Sequence, residues 1–275
     1  MLEFFITIGY GCIVGISLGL TGGGGSIFAI PLLVYGLNLS MTDAVPISLI
    51  AVALTAAVGT WYSYRTRLLS WQPIIMFSIG GIVGAPIGLM YAREFLQTTL
   101  ISGFAILTLF VGLIMWRKTY TRPEDSRAVR AITSDDDKEP ICKLSADGKL
   151  SFTTPCAAVL MVAGLLTGLL SGLFGVGGGF LIVPALMSVI ELGIHRAVAA
   201  SLMIITAIGL SGSASAFIKG ELQWEIIFPF ITGSILGMLL GRKIAVRIAG
   251  PTLQRIFASA ILITGINIFV FTLIL

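Results

Sequence analysis

Charge is what this sequence has least of. Only 11% of its 275 residues are charged, while 56% are hydrophobic; a soluble domain carries about 25% charged residues. A surface that must face water cannot be covered from such a composition. Histidine occurs once, as His195, and the three cysteines are Cys12, Cys142 and Cys156. Their number and spacing suggest neither a disulfide framework nor a zinc site. No metal cluster and no nucleophile–base pair is visible, so neither an enzyme nor a cofactor is expected. The excess of four positive charges forms no basic face that would track phosphates, which argues against nucleic acid as a partner. Carboxylates are missing from the middle of every apolar stretch. Asp43, Glu94, Glu191, Glu221 and Glu225 all fall at segment ends, where a mid-membrane proton relay would not place them.

What is present is continuous apolar sequence. In lipid each backbone polar group must be paired within the chain, so a spanning chain is helical or a closed barrel. Barrel strands alternate apolar and polar residues, and these runs do not. The reading is an all-α integral membrane protein. The first run, 2–20, lacks a basic leader and a small-x-small cleavage pattern and is read as a retained helix.

The chain repeats itself. Shifting the second half by 153 residues lays Gly11, Gly15 and Gly19 on Gly164, Gly168 and Gly172, Pro31 on Pro184, Ser48 on Ser201 and Trp71 on Trp224. Gly80, Gly84 and Gly88 fall on Gly233, Gly237 and Gly241 at the same offset. One constant offset across Gly, Pro, Ser and Trp marks a true repeat. Residues 1–116 form the first unit, 117–154 a polar linker and 155–275 the second unit. Each unit holds five apolar segments: 2–20, 27–37, 44–64, 73–91 and 98–116, then 155–174, 180–190, 197–218, 226–245 and 251–275. A spanning helix needs about 20 residues. The second and seventh segments are too short to span upright and are expected to be re-entrant or tilted.

If each short segment returns the chain to its side of entry, one side receives Arg65, Arg67, Arg117, Lys118, Arg196, Arg242, Lys243 and Arg247. The other receives Arg93 and Lys219. By the positive-inside rule the linker is then cytoplasmic, with both termini outside a cell inner membrane. An odd number of segments per unit sets the two units upside down to each other, as an inverted repeat.

Two glycine clusters carry the chemistry, Gly22-Gly23-Gly24-Gly25-Ser26 and Gly175-Val176-Gly177-Gly178-Gly179, each opening a short segment. Successive amides at a helix start can form an anion-binding nest favoured by the helix dipole. No Gly-Lys-Ser/Thr follows, so these are not P-loops. Candidate substrate-binding residues are Gly22, Gly23, Gly24, Gly25, Ser26, Gly175, Gly177, Gly178 and Gly179. Ser48 and Ser201, equivalent in the repeat, join them. The i, i+4 glycine ladders read instead as faces for close helix packing. Gly209-Leu210-Ser211-Gly212 spells an intramembrane protease motif, but His195 precedes it in a loop, and the protease reading fails.

At these clusters the sequence resembles the TauE/SafE sulfite exporter family, also called TSUP. The resemblance runs over nearly the whole chain outside the linker. It continues through Ala44-Val45-Pro46-Ile47-Ser48 and Ala197-Val198-Ala199-Ala200-Ser201, and through basic loops leading to Trp71 and Trp224. Ile47 and Ala200 stand where the family often has Thr. The resemblance implies a secondary transporter of a small sulfur-containing anion, such as sulfite, sulfoacetate, thiosulfate or another organosulfonate. An anion-selective channel or facilitator is the alternative.

Overall fold

The computed structural model describes residues 2–65, 71–92, 94–121, 154–189, 194–218, 223–245, 255, 258–259 and 261–268. Among them there are helices and no strand: α1 (Leu2–Thr21), α2 (Gly25–Pro31) running into a π-helical turn (Leu32–Gly36), α3 (Met41–Arg65), α4 (Trp71–Ala92), α5 (Gln97–Thr121), α6 (Thr154–Phe174), α7 (Gly179–Val189), α8 (Ile194–Ile218) and α9 (Trp224–Ala245). Seven are long and apolar enough to cross a membrane: α1, α3, α4, α5, α6, α8 and α9. The segments expected to be short are short: α2 with its π turn covers Gly25–Gly36, and α7 has 11 residues. Large apolar side chains such as Phe5, Val83, Phe110, Leu166 and Leu236 are more than half exposed, as a lipid-facing surface requires. The protein is an all-helical, multi-pass membrane protein.

Local chemistry explains the breaks. Pro31 has no amide proton and its ring crowds the carbonyl one turn earlier; the helix widens into the π turn directly after it. Asn38 then takes φ 53°, a left-handed geometry that Asn tolerates at helix ends. Ser40 caps α3: its hydroxyl accepts the Asp43 amide at 3.2 Å and donates to the Asp43 carboxylate at 2.7 Å.

The glycine ladders pair across the two units. Gly11, Gly15 and Gly19 of α1 press on the α9 backbone, and Gly233, Gly237 and Gly241 of α9 press on α1. In the same way Gly80, Gly84 and Gly88 of α4 press on the α6 backbone, and Gly164, Gly168 and Gly172 of α6 press on α4. Both pairs run parallel, since contact positions rise together along each helix. The central pair, α3 and α8, runs antiparallel: Gly59 faces Leu202, while Gly209 faces Leu49 and Ala53. These two helices are among the most enclosed spans. Matching aromatic contacts close the α3–α4 and α8–α9 corners, Tyr64 on Trp71 at 6.0 Å and Phe217 on Trp224 at 6.3 Å between ring centroids.

One expectation is corrected, and two features are added to what the sequence shows. His195 lies in the first turn of α8 rather than in a loop. Cys156 is disulfide-bonded; three cysteines allow one bridge without making a framework, and its partner lies outside the described residues. Arg242 belongs to the last turn of α9, within the expected segment 226–245, and turns inward. The linker reading, apart from its ends, and most of the tenth segment outside 261–268 fall outside the described residues.

A methyl group at Gly84 would overlap the Leu165 carbonyl oxygen. Gly84→Ala is expected to lower stability by about 1–3 kcal/mol through overpacking, read as thermal unfolding in detergent. The folded fraction should bind ligand as the wild type does. An unchanged melting curve would show that the ladder is not a close contact.

Candidate functional site

Each glycine cluster interrupts a helix inside the fold. Residues 21–27 and 174–180 are all buried. The chain turns at Gly22 (φ 71°) in the first loop and at Gly175, Gly177 and Gly178 (φ 67°, 64° and 68°) in the second. Such values are open to glycine and strained for other residues.

The loops meet near the middle of the α3–α8 pair. A side chain at Gly177 would touch Val52 and Ile205, which lie beside the midpoints of α3 (Met41–Arg65) and α8 (Ile194–Ile218). Gly23 and Gly179 are in direct backbone contact, and a Cβ on either would overlap the other. Both loops are therefore brought together, with no gap between them at that point.

The serines hold this arrangement. The Ser201 hydroxyl donates to the Gly22 carbonyl at 2.8 Å, and the Ser48 hydroxyl donates to the Gly175 carbonyl. Each serine thus reaches the loop of the opposite unit, in equivalent positions of the repeat. Ser26 donates to the Gly23 carbonyl at 2.7 Å within its own loop. All three hydroxyl protons are engaged by backbone. The donors left at the loops are amides. Those of Gly23, Gly25 and Ser26, and those of Gly177, Gly178, Gly179 and Phe180, have no acceptor among the described residues, as the first turn of a helix leaves them.

The chain matches the sulfite exporter TauE/SafE family over residues 7–268. It belongs to that family. It is 31% identical over 269 residues to a probable membrane transporter protein of Xylella fastidiosa, covering 97% of this chain and 95% of the relative. It is 27% identical over 273 residues to the probable membrane transporter protein YunE of Bacillus subtilis, covering 96% of each. A probable membrane transporter protein of Methanocaldococcus jannaschii is 25% identical over 280 residues, with 95% and 92% covered. No solved structure matches the chain. This TauE/SafE protein is a membrane transporter.

Further polar groups of the transporter escaped the sequence reading. The Arg242 guanidinium donates to the Gly59 carbonyl and the Ser63 hydroxyl, each at 3.1 Å, and stacks 4.3 Å from the Tyr62 ring centroid. Lysine and arginine near helix ends usually extend to the interface; Lys243 is exposed, while Arg242 reaches back along α3. Two buried hydroxyls, those of Thr60 and Ser171, have no hydrogen-bond partner among the described residues. The rejected protease serine, Ser211, donates to the Ile82 carbonyl at 2.7 Å and ties α8 to α4. Among the described residues no cluster of His, Cys, Asp or Glu could hold a metal ion.

Ser201→Ala or Ser48→Ala leaves a buried loop carbonyl without a donor. Each is expected to cost about 1–3 kcal/mol, measured by thermal unfolding in detergent. Ser102→Ala should stay within about 0.5 kcal/mol, because that exposed hydroxyl bonds only its own helix. Equal effects at all three positions would remove the bracing role.

Proposed function

We propose that the protein is a secondary transporter of a small sulfur-containing oxyanion, held near mid-height by the glycine loops. The observation that carries this is the meeting of the two repeated loops inside the fold, amid uncharged surroundings: among the described residues no charged side chain is fully buried. An anion there needs donors, and helix-start amides with their dipoles are the ones on offer. The description of the matched family as sulfite exporters supports sulfite or a related sulfur oxyanion. The relatives' names support transport alone.

The same reading makes the units an inverted repeat, related by a pseudo-two-fold axis in the membrane plane. Antiparallel packing of the equivalent helices α3 and α8 supports it, as does the symmetric exchange of serine bonds between the loops. Inverted repeats typically bind substrate near the midplane and move one element set against the other. Contact between Gly23 and Gly179 favours a carrier over a standing channel, since a channel needs an open path.

Purified protein should bind sulfite, thiosulfate or sulfoacetate in a calorimetric screen, and in proteoliposomes the flux should saturate and show counterflow. Gly24→Val should abolish binding in a folded, inserted protein. Linear flux without counterflow would establish the channel instead, and absence of oxyanion binding would end the proposal.

We place the linker in the cytoplasm of an inner-membrane protein, on the bias of Arg65, Arg67, Arg117, Lys118, Arg196, Lys243 and Arg247 to one side. A cysteine at Ser134, in a background lacking Cys12, Cys142 and Cys156, should react with an impermeant maleimide only after the inner face is opened. Labelling of intact cells would reverse the topology.

A further inference from the structure

The two loops are copies in sequence but differ in how their polar groups are engaged. In the first, the Gly24 amide donates to the Thr21 hydroxyl at 2.7 Å, and that hydroxyl donates to the Ser17 carbonyl at 2.7 Å. Ser26 closes the loop on Gly23. At the repeat offset of 153, Thr21 becomes Phe174, Ser26 becomes Gly179 and Leu18 becomes Ser171. Phe174 offers no acceptor, so Gly177, the counterpart of Gly24, is uncapped. Its backbone also differs, with φ 64° against −70° at Gly24.

Ser171 is one of the two buried hydroxyls without a partner among the described residues. It is 1% exposed. A buried polar group left unpaired is costly and rare. Its side chain lies beside the loop: a Cβ on Gly178 would lie 3.4 Å from the Ser171 Cβ. Directly beyond is the start of α7, an 11-residue helix whose first amides are unpaired and whose dipole favours negative charge.

We propose that the second loop is the anion subsite, formed by the Ser171 hydroxyl and the amides of Gly178 and Gly179, and that the first loop is its braced opposing wall. This rests on the reading of the protein as an oxyanion transporter and locates the ligand within it. The site takes a small tetrahedral or pyramidal oxyanion through uncharged donors. The internal bonds of the first loop hold it in shape while the second exchanges ligand.

The test compares Ser171→Ala with Thr21→Val, using sulfite and thiosulfate as probes in calorimetry and thermal unfolding without ligand as the second readout. Losing one hydrogen bond to a charged ligand corresponds to about tenfold or more in affinity. Ser171→Ala should show that loss while its unliganded melting temperature stays at or above wild type, because it removes an unpaired buried group. Thr21→Val should melt lower yet bind within about twofold of wild type. Ser171→Cys, nearly the same size with a weaker donor, should fall between wild type and Ser171→Ala, and it decides the matter if the alanine variant fails to fold. Wild-type affinity in both Ser171 variants would overturn the assignment, as would a loss of affinity confined to Thr21→Val. If the wild-type protein binds neither probe, the oxyanion reading itself fails, independently of the subsite.

Discussion

A chain that leaves helical geometry inside a bilayer must pair the exposed backbone groups with protein, since no water is there to do it. This transporter breaks its helices twice within the fold, after Thr21 and after Phe174. The carbonyls of Gly22 and Gly175, released at those breaks, receive hydroxyl donors from Ser201 and Ser48. For these two carbonyls, neither unit supplies its own donor. The units are therefore folded into each other, and neither one alone would satisfy its backbone. The same dependence appears in the ladders, where the first long helix of each unit packs against the last-named ladder helix of the other, α1 on α9 and α6 on α4.

Close approach follows from the same constraint. Helices surrounded by lipid gain little from burying apolar area against each other, and association relies on van der Waals fit. Glycines at every fourth position bring the backbones of α1 and α9, and of α4 and α6, into contact over several turns. These two rigid pairs flank the antiparallel α3–α8 pair, and the loops lie where all three meet. The exposed outer faces, such as Ile106, Phe110, Leu113 and Ile114 of α5, remain apolar for lipid.

Much of this was legible because the repeat has no gaps. A constant offset of 153 made Gly22 and Gly175, or Ser48 and Ser201, visible as pairs, and segment length separated α2 and α7 from the spanning helices. Three features stayed hidden, for different physical reasons. The serines read as substrate contacts, because sequence does not show that a hydroxyl crosses to the opposite unit. Arg242 counted as an interfacial charge, because the direction a long side chain takes depends on its neighbours; here those are Gly59, Tyr62 and Ser63. The Cys156 bridge was missed because spacing carries no geometry.

Departures from the repeat carry more functional information than its matches. Matching positions are retained by requirements of the frame that both units share: a tight turn, a ladder contact, a bond to the opposite loop. Where the units differ, that shared requirement is absent or met otherwise. Thr21 and Ser26 give one loop side-chain hydrogen bonds of its own; Phe174 and Gly179 offer none to the other, and beside it Ser171 has no partner among the described residues. On the proposed carrier reading, the packing around the ligand changes without unfolding of the backbone at the break. A loop closed by its own side chains can move as a solid piece, while one with unpaired donors can bind and release. The repeated frame thus brings two loops face to face, and on the proposed reading the asymmetry in their polar groups decides which of them answers the ligand.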